Sequence, residues 1–488
     1  MGGYIQQTSS LNSIVEAVAR HAVNEPEHLA LRIGKESYSY GDLWKRILSS
    51  VVKLRHLGKG TIVILSTDKS IDYISHYFAA HLQGLICILA DTKLTSEAIQ
   101  KLISSYSVKA FITNKGEAQG VTVIRYKDTC AEDAAFHPVF PERTEIADYM
   151  FTTGTTGESK CVPLTHGNLL ASARNINAFI GNSQDDHELI ALPLCHSFGM
   201  GRVRCALLAG GACTIIPNFA NERKLLSLME SKEITGFSMV PAAWQYLRHL
   251  CETRFISAAR NLRFIEIGSA PLPVEDKRFL ATNLPDTRIC MHYGLTEASR
   301  SAFMEFHTDG DKLSGCGKPT PGVEIAIFSS EGKQLGPNES GEICVRGEHV
   351  TQGYLNLSKE DCFYGDFFRT GDIGMLDSDN TLFIQGRLKE QINVGGKKVS
   401  PDEIELKLRL FPGVKECACT GAADPDGILG EVVKAHIVPD DNVDINTAEV
   451  IQFMKTQVQP HAVPRIVEVR KEPLPRTESG KLQRQKLQ

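Results

Sequence analysis

The sequence predicts an α/β fold: a large N-terminal domain of α/β subdomains plus a small β subdomain, then a separate α+β C-terminal domain. Three changes of texture along the 488 residues carry that prediction. From about residue 28 to about 300, short apolar runs alternate with amphipathic stretches, the signature of βα units and largely parallel sheets. After about residue 310 the strands are broken by Gly, Pro, Asn and Ser, as in a small antiparallel subdomain. Near residue 390 a compact alternation of helix and strand begins, roughly a hundred residues long and of a size to fold as a unit.

In order, TIVILST (61–67) is β-branched and reads as a buried strand, and IDYISHYFAAHLQG (71–84) has helical spacing with Gly84 as its stop. LICILA (85–90) is the next strand, and the rhythm returns at VKAFIT, HELIALPL, ACTIIP, GFSMVP and LRFIEIG, with ERKLLSLMESKEI helical between two of them. Strands buried on both faces are continuous apolar runs, as these are. In the last part, SPDEIELKLRLF reads as a helix starting at Ser400-Pro401 with acidic residues in its first turn. Strands ECACTGAA and EVVKAHIVP, helix TAEVIQFMKTQV and strand RIVEV follow.

Composition excludes several classes. Net charge is −5, which does not favour non-specific binding to nucleic acid or anionic lipid. The first residues lack a basic region followed by an apolar run, and no window nears eighteen apolar residues, so neither a signal peptide nor a membrane span is expected. The thirteen cysteines are scattered singly, which fits reduced thiols and a cytoplasmic setting; no cluster has zinc-ligand spacing.

FTTGTTGESK (151–160) is the most informative stretch. Small residues, hydroxyls and many backbone N–H groups make a concave anion site, and Lys160 adds an ammonium. The glycines Gly154 and Gly157 are three apart, not five, and Lys160 does not follow Gly157 directly, so this is not the P-loop of the common NTPases. GSAPLP (268–273) follows a strand, where small residues let a ligand approach the backbone; the alternative is a Pro-terminated turn. MHYGLTEAS (291–299) offers Tyr293 to stack on a base, Thr296 to touch a phosphate oxygen and Glu297 to hold Mg²⁺; the alternative is a turn with a packed tyrosine. Asp372 in a T-G-D turn is placed to accept two ribose hydroxyls, unless the stretch is an ordinary hairpin. Lys481 follows a Ser-Gly turn, a position more often occupied by a solvated tail.

Together, in this order, these elements resemble the adenylate-forming ANL superfamily of acyl-CoA synthetases, stand-alone adenylation enzymes and luciferases. The resemblance runs from YSYGDL (38–43) to Lys481. It implies ATP-dependent activation of a carboxylic acid to an acyl adenylate with release of pyrophosphate, then transfer to a thiol. Thr152, Thr153, Gly154, Thr155, Thr156, Gly157 and Lys160 match the phosphate loop. Gly268, Ser269, Ala270 and Pro271, with His292, Tyr293 and Gly294, match the adenine site. Thr296 matches the α-phosphate contact, Glu297 the Mg²⁺ ligand, and Asp372 with Arg387 the ribose pair. Lys481 matches the lysine that bridges carboxylate and α-phosphate. Lys389 matches a hinge about which a mobile C-terminal domain turns between half-reactions, giving domains 1–388 and 389–488; Gly395 and Gly396 match the border of the thiol tunnel.

ALPLCHSFGMGRVRC (191–205) matches the acyl-pocket segment, with His196 and Ser197 at its centre and Arg300 and Ser301 contributed by the stretch after GLTEAS. No aspartate stands where amino-acid-activating members hold the α-ammonium, which disfavours an ordinary α-amino acid. His196 resembles a pocket histidine; the alternative is a satisfied core histidine. Arg202, Arg204 and Arg300 suit a second carboxylate or other polar group on the acid, or else they pair with acidic neighbours. CoA is the favoured acceptor. The rival is a separate phosphopantetheinyl carrier protein, and a non-catalytic nucleotide binder is the reading from a different class.

Overall fold

A computed structural model describes residues 11–127, 137–152, 160–395, 397–441, 443–477, 480 and 482–487. The chain forms two compact units, one of Met1–Glu324 with Val345–Phe368, the other of Ile325–Cys344 with Arg369–Gln488.

Two sheets build the first unit. The larger has nine strands in the order Lys318–Pro319, Ala302–Glu305, Arg288–Tyr293, Phe264–Ile267, Gly236–Met239, His187–Ile190, Ala212–Ile215, Leu29–Ile33 and Glu36–Ser39. Its central pairings are parallel and its edges antiparallel. The four strands of its middle from Phe264–Ile267 to Ala212–Ile215 are buried at every residue, which is why they read as mostly apolar runs. The six-stranded sheet contains Ile62–Ser66, Ile86–Ala90 and Ala110–Ile112, and ends on the antiparallel pair Ile146–Thr152 and Lys160–Thr165.

The helices carry the local signals expected of them. In Ile71–Leu82, the Ser70 hydroxyl accepts from the Tyr73 amide at 3.1 Å, and Gly84 takes φ +71° past the end. His166–Ile180 starts with a reciprocal cap between Thr165 and Asn168. Helix Ser197–Ala209 is buried on all sides from Phe198 onward, which demands partners for its two arginines.

In the second unit, the strand Phe367–Leu376, from Arg369 onward, pairs antiparallel with Leu382–Arg387. Helix Pro401–Leu408 and helix Thr447–Gln457 accompany a three-stranded sheet of Val414–Ala423, Glu431–Pro439 and Ile466–Val469. The division at 388/389 expected from the sequence falls inside this unit. The reason is local: the Ser400 hydroxyl donates to the Gln385 carbonyl, and helix Pro401–Leu408 packs on strand Leu382–Arg387. No described helix is long and apolar enough to cross a membrane. The described cysteines are all free thiols.

Candidate active site

The ends of the phosphate loop are held opposite one another, because Thr152 and Lys160 are register partners in an antiparallel pair. Thr153, Gly154, Thr155, Thr156 and Gly157 lie outside the described residues, as do Gly396 and Lys481. The Lys160 ammonium sits 4.2 Å from the ring centroid of Tyr354, a cation–π contact, and the Tyr354 hydroxyl donates to Glu297 Oε1 at 2.5 Å. Backbone geometry explains why these distant residues meet. The Leu355 amide donates to the Cys161 carbonyl at 3.1 Å, Thr351 Oγ1 donates to the Pro163 carbonyl at 2.6 Å, and the Thr351 amide donates to the Glu297 carbonyl at 2.8 Å. Asn168 adds two donations, to the Glu348 and Val350 carbonyls at 2.8 Å each. The segment 348–355 therefore laces strand Lys160–Thr165 to Glu297. Glu297 is 6% exposed and its Oε2 has no partner among the described residues. A buried carboxylate oxygen without a protein partner among the described residues is a donor of the kind that fits Mg²⁺.

The adenine-site residues lie at the C-terminal ends of two adjacent parallel strands, Phe264–Ile267 and Arg288–Tyr293, where open α/β sheets bind ligands. Gly268 is buried against His292: a Cβ there would stand 2.0 Å from the imidazole Cε1. His292 Nδ1 lies 2.7 Å from Glu266 Oε1. Burial lowers the His292 pKa against the raising effect of Glu266, which favours the neutral ring beside the carboxylate. Ser269 is exposed with φ +78°, a left-handed conformation that costs roughly 1–2 kcal/mol for a side chain with Cβ. Pro271 is exposed and Ala270 half-buried. Tyr293 is 7% exposed, so little of its ring is open to a base. Gly294 lies under the Arg300 backbone, 2.3 Å from the amide nitrogen to a Cβ placed there.

His196 precedes helix Ser197–Ala209 and its side chain is exposed, which sets aside the core-histidine alternative. Ser197 lines a cavity of about 20 Å³ whose walls include Leu164, Leu169, Ile176, Arg204 and Thr296. Arg202 and Arg300 pair with acidic neighbours, the alternative the sequence left open for them. Arg202 is fully buried, 2.7 Å from Glu188 and 3.0 Å from Glu266. Arg300 donates from Nε to Glu266 at 2.9 Å and from Nη1 and Nη2 to the Ser197 and Phe198 carbonyls. Their charge is met inside the protein because an arginine this deep must be paired. Arg300 also fixes the acyl segment to the loop that bears Thr296 and Glu297.

Sequence reasoning passed over three residues here. Tyr354 joins Lys160 to Glu297. His349 shares the cavity wall; Ser301 Oγ donates to the Ala298 carbonyl and accepts from His349 Nε2, each at 3.0 Å, and burial takes the His349 pKa down to about 4. Lys69 has φ +57° and donates to the Ala191, Ile216 and Pro217 carbonyls, pinning the start of the acyl segment; burial lowers its pKa to about 8. The aromatic in GYL and the lone His in GEHV were visible signals, but only folding shows what they touch.

In the second unit, Asp372 and Arg387 are register partners on neighbouring strands, with Arg387 Nε 2.9 Å from Asp372 Oδ1. Lys389 sits in the 3₁₀ turn Leu388–Glu390. Gly395 has φ +58° and its amide donates to the Leu429 carbonyl at 3.0 Å. Arg484, three residues past Lys481, donates to Glu390 at 2.7 Å, to Glu405 at 2.9 Å and to Asp402, which ties the terminal segment to the helix beginning at Pro401.

The family of AMP-binding enzymes matches residues 18–355, and the AMP-binding enzyme C-terminal domain matches residues 403–481. The chain is similar to the oxalate–CoA ligase of Arabidopsis thaliana, 29% identical with 98% of each chain covered. It is also similar to the feruloyl-CoA synthase of an Amycolatopsis species, 27% identical over 95% of this chain and 96% of the relative. Among solved structures, ATP-bound MatB from Rhodopseudomonas palustris superposes with a TM-score of 0.88 at 27% identity, covering 98% of each chain. With most of its length matched by these two family models, this chain belongs to the AMP-binding enzymes of the adenylate-forming ANL superfamily.

Proposed function

We propose that the protein is an AMP-forming acid–CoA ligase: it joins a carboxylic acid to the α-phosphate of ATP, expels pyrophosphate, and passes the acyl group to the thiol of CoA. The observation that supports this best is the contact chain Lys160–Tyr354–Glu297, which joins the phosphate loop to the carboxylate placed for a metal. The names of the relatives, both acid–CoA ligases, point the same way.

Each residue has a physical task. Lys160 and the loop amides hold the β- and γ-phosphates, the group that departs. Tyr354 orients Glu297 through one oxygen and leaves the other for Mg²⁺. Mg²⁺ bound there neutralises phosphate charge. The Thr296 hydroxyl, which has no partner among the described residues, donates to the α-phosphate. Asp372 accepts the ribose hydroxyls, steadied by Arg387. Lys481 places its ammonium between the attacking carboxylate and the α-phosphate. Such transfer depends on positioning and charge neutralisation more than on covalent help.

The test is acid-dependent pyrophosphate–ATP exchange followed by thioester formation with CoA and with a holo carrier protein. Lys481→Ala is expected to lower exchange by roughly 10²- to 10³-fold with the fold intact. Exchange near the wild-type rate refutes the assignment, and acyl transfer to the carrier but not to CoA replaces the acceptor.

A further inference from the structure

Arg204 lies on helix Ser197–Ala209, is 4% exposed and lines the cavity beside Thr296. A guanidinium has five N–H donors. Here Nη1 donates to Asp148 Oδ2 at 3.1 Å and Nε donates to the Met200 carbonyl at 3.4 Å. Its Nη2 has no partner among the described residues. That donor is open to the cavity, where a ligand or water oxygen can accept from it. The cavity adds hydroxyls from Ser172, Ser197, Ser299 and Thr296, and among the described residues none of these is bound as a donor to the protein. The wall is rich in donors.

The charge of Arg204 is already answered. Asp148 is fully buried; it accepts from His81 Nε2 at 2.9 Å, from the Tyr77 hydroxyl at 3.0 Å and from Arg204. Burial works to raise its pKa, but the hydrogen bond and charge of His81, with Arg204 and Tyr77, outweigh it and hold the carboxyl below its ordinary value. With its oxygens so occupied, Asp148 beside Cys87 and His81 is an ion-pair centre, not a free metal site. A second carboxylate on the substrate would meet an arginine already paired with a buried carboxylate, and would lie close to that carboxylate's negative charge.

We propose, resting on the ligase reading above, that this cavity selects a carboxylic acid carrying a neutral oxygen function, a hydroxyl or small ether, seated on Arg204, and that Asp148 excludes acids with a second carboxylate there. The arginine is a specificity-determining residue, and the aspartate sets its sign.

The experiment uses matched triplets of acids from two to eight carbons and of para-substituted benzoates: apolar, hydroxy or methoxy, and dicarboxylic. ATP-dependent AMP release with CoA gives kcat/KM for each. In the best-used triplet, the neutral oxygen acid is expected to exceed both of its counterparts by at least tenfold. Asp148→Asn keeps hydrogen-bond acceptors but removes the charge, and is expected to raise the dicarboxylic-to-hydroxy ratio at least tenfold. Arg204→Gln is expected to erase the preference for hydroxy over apolar acid. A wild-type preference for the dicarboxylic or apolar member overturns the proposal even if the variants fail to fold, and so does an unchanged ratio in folded Asp148→Asn. AMP release from no acid overturns the ligase reading, and the selectivity proposal falls with it.

Discussion

At the residue scale, Gly268 shows how one missing methyl group shapes the adenine end. The His292 imidazole occupies the place a Cβ would take, and it cannot easily give way: Glu266 holds its Nδ1, and Phe198 and Phe303 meet it edge-on with centroids 4.8 and 5.8 Å away. Gly268→Ala is therefore expected to overpack the site by roughly 1–3 kcal/mol. It should raise the KM for ATP more than the KM for the acid. Steady-state kinetics with each substrate varied checks this, and equal KM values for wild type and variant would show that the ring moves freely. GSAPLP suggested room for a ligand close to the backbone, and in the fold the His292 ring lies against Gly268. What it could not announce is that the first neighbour pressing on Gly268 is a side chain of the protein. That contact depends on the parallel register of Ile267 with Met291, a pairing made only by the sheet.

At the scale of elements, the strands were legible because burial on both faces leaves a plain mark, a run of apolar residues such as ILS-preceding IV or ICILA. One helix start was legible too, because Ser400-Pro401 stands at its boundary; the caps Ser70 and Thr165 were not read from the sequence. The charged residues inside those runs were not. Glu188 and Glu266 interrupt two central strands, and the arginines that answer them come from helix Ser197–Ala209 and from the loop at 300. Periodicity carries no information about which helix covers which strand, so the arginines looked available for substrate. Their pairing makes a prediction. Glu266 receives Arg300 and Arg202 together, so Glu266→Gln leaves Arg202 with Glu188 and takes from Arg300 its carboxylate partner. Breaking a buried pair typically costs about 3–5 kcal/mol. Since Arg300 also donates to the Ser197 and Phe198 carbonyls and His292 leans on Glu266, the variant should raise the KM for ATP and for the acid together. Urea unfolding and two-substrate kinetics report both effects; an unchanged unfolding midpoint would mean the network contributes nothing net.

At the scale of the whole molecule, buried histidines set the acid limit. Burial takes His76, His187, His349 and His436 down to about 4, so the folded protein keeps them neutral where the unfolded chain, near 6.5, protonates them. Between about pH 6.5 and 4 the unfolded state binds more protons, and stability falls as pH falls, by up to ~1.4 kcal/mol per pH unit for each group. The apparent Tm should be level above pH 6.5 and decline below it; a Tm level down to pH 5 would contradict this. The second prediction concerns the order of the half-reactions. The compact units place Lys389 inside the second unit, within the 3₁₀ turn Leu388–Glu390, although the resemblance assigns it the hinge. A hinge acts through a few residues whose dihedral angles change, and it does not have to coincide with a boundary of packing. Proline fixes φ near −65°, within the range of a 3₁₀ turn, and so holds residue 389 in its present conformation. If rotation about Lys389 separates the two steps, Lys389→Pro should preserve one partial reaction and stop the other. The expected outcome is pyrophosphate exchange within a few-fold of wild type and thioester formation lost, both from ATP and from a supplied acyl adenylate. Loss of both reactions would mark residue 389 as structural, and retention of both would move the hinge elsewhere.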